Sequence, residues 1–145
     1  MKKIFHHENQ TELSEMHFHD SVFGNFCYDH FDGTITVTCE SECEEKNYTI
    51  LFKNVIYFEM IGCQFWGNSC YLNWAGYSPC EDIVQKLFLL QEKNDIRFVE
   101  RNPTLQPEKS KWNSGISYVP MLFEFMSGDR LVIFSEEIQI DIKEW

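Results

Sequence analysis

The densest apolar run of the chain is Asn47–Gly67, NYTILFKNVIYFEMIGCQFWG. Through its first part, apolar side chains occupy alternate positions, at Tyr48, Ile50 and Phe52. This alternation is typical of a strand with one buried face. Beyond Lys53 and Asn54, consecutive residues are apolar. We therefore expect either a β-bulge at these two residues or a passage into a site that is covered on both faces.

Charge limits the classes of partner. Lys53 and Glu59 interrupt the central stretch, and a charged residue near the middle of a membrane-spanning helix costs roughly 2.5–3.5 kcal/mol. The formal net charge of −11 disfavours binding to nucleic acid or to an anionic membrane surface, because both attract basic patches. We expect a cytoplasmic protein, and a basic protein is the partner that this charge would attract.

Six cysteines raise the question of disulfides or zinc: Cys27, Cys39, Cys43, Cys63, Cys70 and Cys80. No two of them have the Cys-x-x-Cys spacing that is typical of zinc ligands and redox pairs. Polar residues follow Lys2 and Lys3, where a signal peptide would be apolar. We therefore expect a reducing compartment, free thiols and no cofactor.

A β-hairpin is predicted over Ser21–Glu40. Asp32-Gly33 is typical of a two-residue type I′ turn, because glycine accepts a positive φ. This turn would pair residues whose numbers sum to 65. The resulting apolar face contains Val22 and three cross-strand pairs: His30 with Ile35, Tyr28 with Val37, and Phe26 with Cys39. The opposite face is polar, so the turn and the hydrophobic pattern agree.

One helix is predicted around 79–93. Ser78 and Glu81 have the spacing of a capping box, and Pro79 is favourable in the first turn. Short strands are expected on either side of this helix, at Cys70–Trp74 and Ile96–Val99. Residues 101–115 are polar and predict the longest loop, whereas residues 1–16 predict a loosely ordered lead-in.

The segment 116–145 predicts three strands. Ser127-Gly128-Asp129 predicts a turn of two or three residues between the first two strands, and Glu136-Glu137 predicts a solvated junction before the third. Together with the hairpin and the central stretch, these elements predict one α+β domain, 1–145. We expect about seven or eight mainly antiparallel strands in a curved sheet, sandwich or partial barrel, with one covering helix.

His17, His19 and Asp20 lie in the segment whose side chains are best suited to metal binding or catalysis. In an extended chain the two imidazoles point to the same side, and Asp20 adds a carboxylate, so the three could bind a metal ion. A metal-dependent enzyme centred on them is one hypothesis. The alternative is a turn at Asp20 and Ser21 with locally hydrogen-bonded imidazoles.

Three aromatic residues, Phe65, Trp66 and Trp112, are candidates for contact with a partner, because large aromatic side chains are enriched at binding hot spots. Packing in or beside the core is the alternative. The high aromatic content, 16% of residues, also permits a third hypothesis, in which an aromatic-lined cavity binds a small ligand.

The chain contains no phosphate loop, dinucleotide fingerprint, His-Glu-x-x-His or Gly-x-Ser-x-Gly motif. Four short islands resemble a group of small bacterial β-rich domains: His19-Asp20-Ser21, Phe52-x-Asn54-Val55, Trp66-Gly67 and Ser127-Gly128-Asp129. Some proteins of this kind are associated with toxin–immunity systems. The resemblance implies a non-catalytic interaction module, in which an acidic surface would bind a basic partner.

Overall fold

The computed structural model describes residues 1–62, 70–108 and 115–145. Contacts between Cα atoms divide the chain into two units, residues 1–78 with 117–145 and residues 79–116. Within the described residues, the first unit contains seven strands and a 3-10 helix, and the second contains one α-helix. This confirms the predicted α+β class, whereas the predicted single domain, 1–145, stays a prediction.

The strands are β1 (Lys2–Phe5), β2 (Val22–Asp29), β3 (Thr34–Ser41), β4 (Lys46–Ile61), β5 (Leu72–Tyr77), β6 (Val119–Phe125) and β7 (Arg130–Glu144). The 3-10 helix is His7–Glu15 and the α-helix, α1, is Glu81–Arg101. Every strand pair is antiparallel, the order is β2-β3-β4-β7-β6-β5, and β1 pairs with β7. The described α1 is the one predicted helix.

The central stretch forms β4 as far as Ile61, and the predicted alternation is confirmed. Tyr48, Ile50 and Phe52 are buried and lie opposite isoleucines of β7. A bulge is present in β4, slightly beyond the predicted residues Lys53 and Asn54, because Asn54 has a φ of 49° and the pairing with β7 shifts between Val55 and Tyr57. Two adjacent polar residues are thereby accommodated in a strand that is buried before and after them.

The expected strand junction at Glu136-Glu137 is wrong, because β7 runs unbroken for 15 residues. Two strands, not three, therefore occupy 116–145. The buried positions step from Ser135 to Ile138, opposite the β4 bulge. The turn between β6 and β7 spans three residues, since the Phe125 amide donates to the Asp129 carbonyl at 2.9 Å.

The hairpin of β2 and β3 has the predicted faces but a different register. Each residue of β2 pairs with a β3 residue two positions closer to the turn than predicted. Tyr28, for example, lies opposite Ile35 instead of Val37, so a loop of four residues replaces the type I′ turn. The Asp29 carboxylate accepts the Asp32 amide at 3.0 Å, which stabilises this longer loop. Gly33 does adopt a positive φ, 67°. A two-residue shift leaves each side chain on its predicted face.

The predicted place of Val22 on the apolar face is wrong. The β2–β3 pairing shifts between Phe23 and Phe26, so Phe23 pairs with Cys39 and packs on the core in its place. The Phe23 ring centroid lies 5.1 Å from that of Phe125. Cys39 itself is buried, as predicted.

The α-helix differs from its prediction at both ends. Its N-cap is Cys80, with a φ of 48° and no side-chain cap hydrogen bond, so the capping box of Ser78 and Glu81 is wrong. The helix continues to Arg101, and the strand predicted at Ile96–Val99 is wrong. A hydrogen bond of 2.5 Å from Gln91 to Asp95 spans Asn94, the residue that was expected to end the helix. The loop predicted at 101–115 stays a prediction, since 109–114 lie outside the described residues.

The strand predicted at Cys70–Trp74 is present as β5, which begins two residues later and continues to Tyr77. Residues 1–16, expected to be a loosely ordered lead-in, are instead built into the first unit. β1 pairs with β7, with Phe5 opposite Ile138, and Leu13 of the 3-10 helix is fully buried. Single apolar residues spaced without a period gave no signal of this packing.

The two outer strands of the path, β2 and β5, meet near their first residues. Val22 and Tyr71 form an isolated antiparallel bridge. The Leu72 amide donates to the Ser21 carbonyl at 2.8 Å, and the Phe23 amide donates to the Cys70 carbonyl at 2.7 Å. The sheet is therefore curved, and within the described residues it does not close. No helix of this described part is long and apolar enough to cross a membrane.

Candidate functional site

The proposed metal-binding segment is assembled only in part. His19 Nδ1 lies 2.8 Å from the Asn73 carbonyl oxygen, to which it donates, and His19 Nε2 lies 3.3 Å from Asp20 Oδ2. His17 is exposed and separated from His19 by Phe18, which is buried. Among the described side chains, no three His, Cys, Asp or Glu residues are arranged to hold a metal ion. The metal assignment to His17, His19 and Asp20 stays a prediction.

The three aromatic residues predicted to contact a partner, Phe65, Trp66 and Trp112, lie outside the described residues. Another exposed aromatic residue is present at the tip of the β2–β3 hairpin. Phe31 is 96% exposed, although burying a phenylalanine side chain is worth roughly 1.5–3 kcal/mol. We call residues 28–33 the hairpin tip.

The hairpin tip is held in place by contacts with β4. The Tyr28 ring lies 4.7 Å from the Phe58 ring of β4, measured between centroids, and its hydroxyl lies 2.8 Å from His30 Nδ1. The Val55 amide donates to the Gly33 carbonyl at 2.8 Å, which ties the loop to the β4 bulge. Phe31 is therefore presented to solvent on an ordered support, as a preorganised contact residue would be.

Negative charge is concentrated in the part of the chain that contains the hairpin tip. Residues 4–45 include ten carboxylates and no lysine or arginine. These residues form the 3-10 helix, β2 and β3. Within the hairpin tip, Asp32 directly follows Phe31 and Asp29 precedes it by two residues. An exposed aromatic ring between two carboxylates is suited to a basic protein surface that also has an apolar pocket.

A second polar cluster lies where the β4 bulge faces β7. Glu137 is at its centre, with one carboxylate oxygen 3.4 Å from His6 Nε2 and the other 3.4 Å from Lys53 Nζ. Gln139 donates to the latter oxygen at 2.7 Å, and Asn54 donates to Glu136 at 2.6 Å. Burial alone would raise the pKa of Glu137. The hydrogen bonds from Gln139 and Lys53 and the neighbouring charges outweigh burial and lower it.

Sequence reasoning assigned no role to Phe31 or His6, and it placed Glu137 at a solvated strand junction. Phe31 stands directly before the Asp-Gly pair that marks the turn, so its exposure at a loop apex had a visible signal. The cluster around Glu137 had a signal too, because apolar alternation is interrupted by two polar residues at Lys53-Asn54 and again at Glu136-Glu137. Only the pairing of β4 with β7 places these two interruptions side by side.

Cys27, Cys39, Cys43 and Cys70 have free thiols. Burial raises the pKa of Cys39 to about 12, so this thiol stays protonated and is a poor nucleophile. Cys27, Cys43 and Cys70 are exposed, and Cys63 lies outside the described residues.

The hydroxyl of Tyr48 donates to Glu44 at 3.3 Å, and burial together with the charge of Glu44 raises the pKa of Tyr48 to about 12.

Comparison with known proteins gives little. No protein-family model and no curated protein matches the chain. Among solved structures, an uncharacterised protein from Neisseria gonorrhoeae is similar over 100% of this chain and 99% of its own, with 14% sequence identity and a TM-score of 0.39. At that TM-score the similarity supports no conclusion about fold or function.

Proposed function

We propose that this protein is a non-catalytic interaction module that binds a basic protein partner in the manner of an immunity protein. The observation that supports this proposal best is Phe31, an apolar side chain that is 96% exposed on a hairpin tip with two carboxylates. In this mode Phe31 would enter an apolar pocket of the partner, while Asp29 and Asp32 would face lysine or arginine side chains around that pocket.

The charge of the chain supports the same partner. Ten carboxylates without a basic residue over residues 4–45 produce a field that accelerates encounter with a cationic protein, and this acceleration falls as salt screens it. Binding through the hairpin tip would block the partner by occupying its surface, so it needs no catalytic group on this chain.

The proposal can be tested by site-specific photocrosslinking. A photoreactive phenylalanine analogue is placed at Phe31 and, as a matched control, at Leu89, which is 68% exposed on α1. Cells of the organism that encodes the chain are irradiated, and the crosslinked product is identified by mass spectrometry. We expect one basic protein to be crosslinked from position 31 and not from position 89. An acidic partner, or equal crosslinking from both positions, contradicts the proposal.

The purified partner then allows two substitutions to be compared. Phe31→Ala should weaken binding by about 2 kcal/mol, roughly thirtyfold in Kd, because the hot-spot ring is lost. Asp32→Asn should mainly slow association and reduce its salt dependence, since only charge changes. Unchanged affinity of the Phe31→Ala variant would show that the hairpin tip is not the binding site.

A further inference from the structure

An open cavity of about 440 Å³ lies beside the turn between β6 and β7. This volume is within the range of roughly 300–1,000 Å³ that small-molecule sites occupy. The cavity belongs to the first unit and is lined by Asn73, Glu124, Phe125, Met126, Gly128 and Arg130. It contains none of the residues of the hairpin tip, so it is independent of the proposed function.

Two opposite charges line this cavity without contacting each other. Glu124 of β6 and Arg130 of β7 are directly paired positions in the sheet, and both side chains are half-buried. Side chains at paired positions have Cβ atoms roughly 4.5–5.5 Å apart, so an ion pair is within reach. Within the described part of the chain, neither side chain makes an ion pair or a side-chain hydrogen bond.

Arg130 and Glu124 are each available to bind a ligand group of opposite charge. The guanidinium of Arg130 offers up to five donors in a planar fork that matches a carboxylate. The carboxylate of Glu124 accepts hydrogen bonds and suits an ammonium group. A molecule that has a carboxylate and an ammonium group on the same carbon atom would satisfy the two side chains at once.

The remaining lining fits such a molecule. Met126 is 45% exposed, so it offers apolar surface that a ligand side chain can cover. Asn73 contributes a polar side chain on the opposite, β5, side. The turn keeps its shape because Gly128 adopts a φ of 91°, and its amide donates to the Phe125 carbonyl at 2.9 Å.

We propose that this cavity binds a free α-amino acid with an apolar side chain, its carboxylate on Arg130 and its ammonium group on Glu124. Neither end alone completes the site, because an anion would leave Glu124 unpaired beside it and a cation would leave Arg130 unpaired. The site therefore selects for the zwitterion.

Three probes that share the leucine side chain test the selection for a zwitterion by isothermal titration calorimetry. They are L-leucine, N-acetyl-L-leucine, which lacks the ammonium group, and L-leucinamide, which lacks the carboxylate. We expect L-leucine to bind at least about tenfold more tightly than either derivative, since each lost charge-assisted hydrogen bond is worth about 1.5–3 kcal/mol. Equal binding of the three probes, or binding of none, overturns the proposal.

Substitutions identify which end of the ligand each residue binds. Arg130→Gln should remove the preference for L-leucine over L-leucinamide, and Glu124→Gln should remove the preference over N-acetyl-L-leucine. Arg97→Gln, at an exposed position of α1, is the matched control and should change neither. Because the readout is a ratio between probes, it stays informative if a variant is less stable. Preferences that survive both substitutions overturn the assignment.

Discussion

Glu137 shows how burial and hydrogen bonding compete at a single carboxylate. Its side chain is 23% exposed and receives contacts from His6, Lys53 and Gln139. Burial raises the pKa, the donors lower it, and the donors prevail. The sequence does not reveal that these residues contact one another. His6 precedes Glu137 by 131 positions and approaches it only because β1 pairs with β7.

A pH dependence follows from this carboxylate. Its folded-state pKa lies below the value of 4.5 that applies to the unfolded chain. Its stabilising contribution is therefore complete above about pH 4.5 and is lost as the pH falls through the folded-state pKa. Glu137→Gln should cost less than about 1 kcal/mol at pH 7 and flatten the loss of stability below pH 4.5. Urea unfolding at several pH values measures this, with Glu100→Gln as the control that should leave the slope unchanged.

Cys39 provides a second test at the scale of one residue. Iodoacetamide should modify the exposed Cys27, Cys43 and Cys70 in the native protein and spare Cys39, whose thiol is buried and whose pKa is raised to about 12. Peptide mass spectrometry gives the modified fraction at each position. In urea Cys39 should react like the others. Native modification of Cys39 at the rate of Cys27 would show that it is accessible.

At the scale of the element, sequence patterns predicted the kind of structure better than its limits. The alternation of Tyr48, Ile50 and Phe52 sufficed to predict β4. The polar pair that follows indicated a bulge, but the pairing shifts slightly later, between Val55 and Tyr57. The hairpin turn was mispredicted because the Asp29 side chain stabilises a longer loop, which a dipeptide signal does not reveal. The predicted helix ended too early, because Asn94 was taken as its end although a single asparagine costs only a few tenths of a kcal/mol inside a helix.

The β4 bulge makes a prediction about backbone conformation. Asn54 has a φ of 49°, which asparagine tolerates and β-branched residues do not. Asn54→Val should destabilise the fold by about 2 kcal/mol, whereas Asn54→Gly should cost less than about 1 kcal/mol despite losing the bond to Glu136. Chemical denaturation measures both.

Thr49→Val is the control for that comparison, since Thr49 is exposed in a regular part of β4 and valine is favourable there. It should be close to neutral. If Asn54→Val were as stable as Thr49→Val, the left-handed conformation at position 54 would not exist in solution.

At the scale of the molecule, the uneven distribution of charge is a source of instability. Ten carboxylates without a basic residue in residues 4–45 repel one another across the 3-10 helix, β2 and β3. This uneven distribution can be seen in the sequence without the structure. Its value to a binding surface would be the reason to retain it, in keeping with the proposed function.

Salt should therefore stabilise the free protein. Raising NaCl from about 10 mM to about 150 mM shortens the Debye length from roughly 30 Å to 8 Å, and we expect the thermal midpoint to rise. Glu42→Lys, at an exposed position of the turn between β3 and β4, should raise the midpoint at low salt and reduce its salt dependence. Glu100→Lys, outside the acidic stretch, should have a smaller effect. A midpoint that is independent of salt contradicts this account.

β7 pairs with β1, β4 and β6, and it follows all three in the chain. During synthesis on the ribosome, these three strands emerge while the strand that pairs with each of them has not yet been translated. Their ladders with β7 can form only once residues 130–144 have left the exit tunnel, whereas the β2–β3–β4 and β5–β6 ladders can form earlier. β7 must then join these two parts of the sheet in a late step through contacts that span most of the chain, which is slow compared with local folding. Until that step, nascent β4 is an exposed apolar strand that a chaperone would recognise.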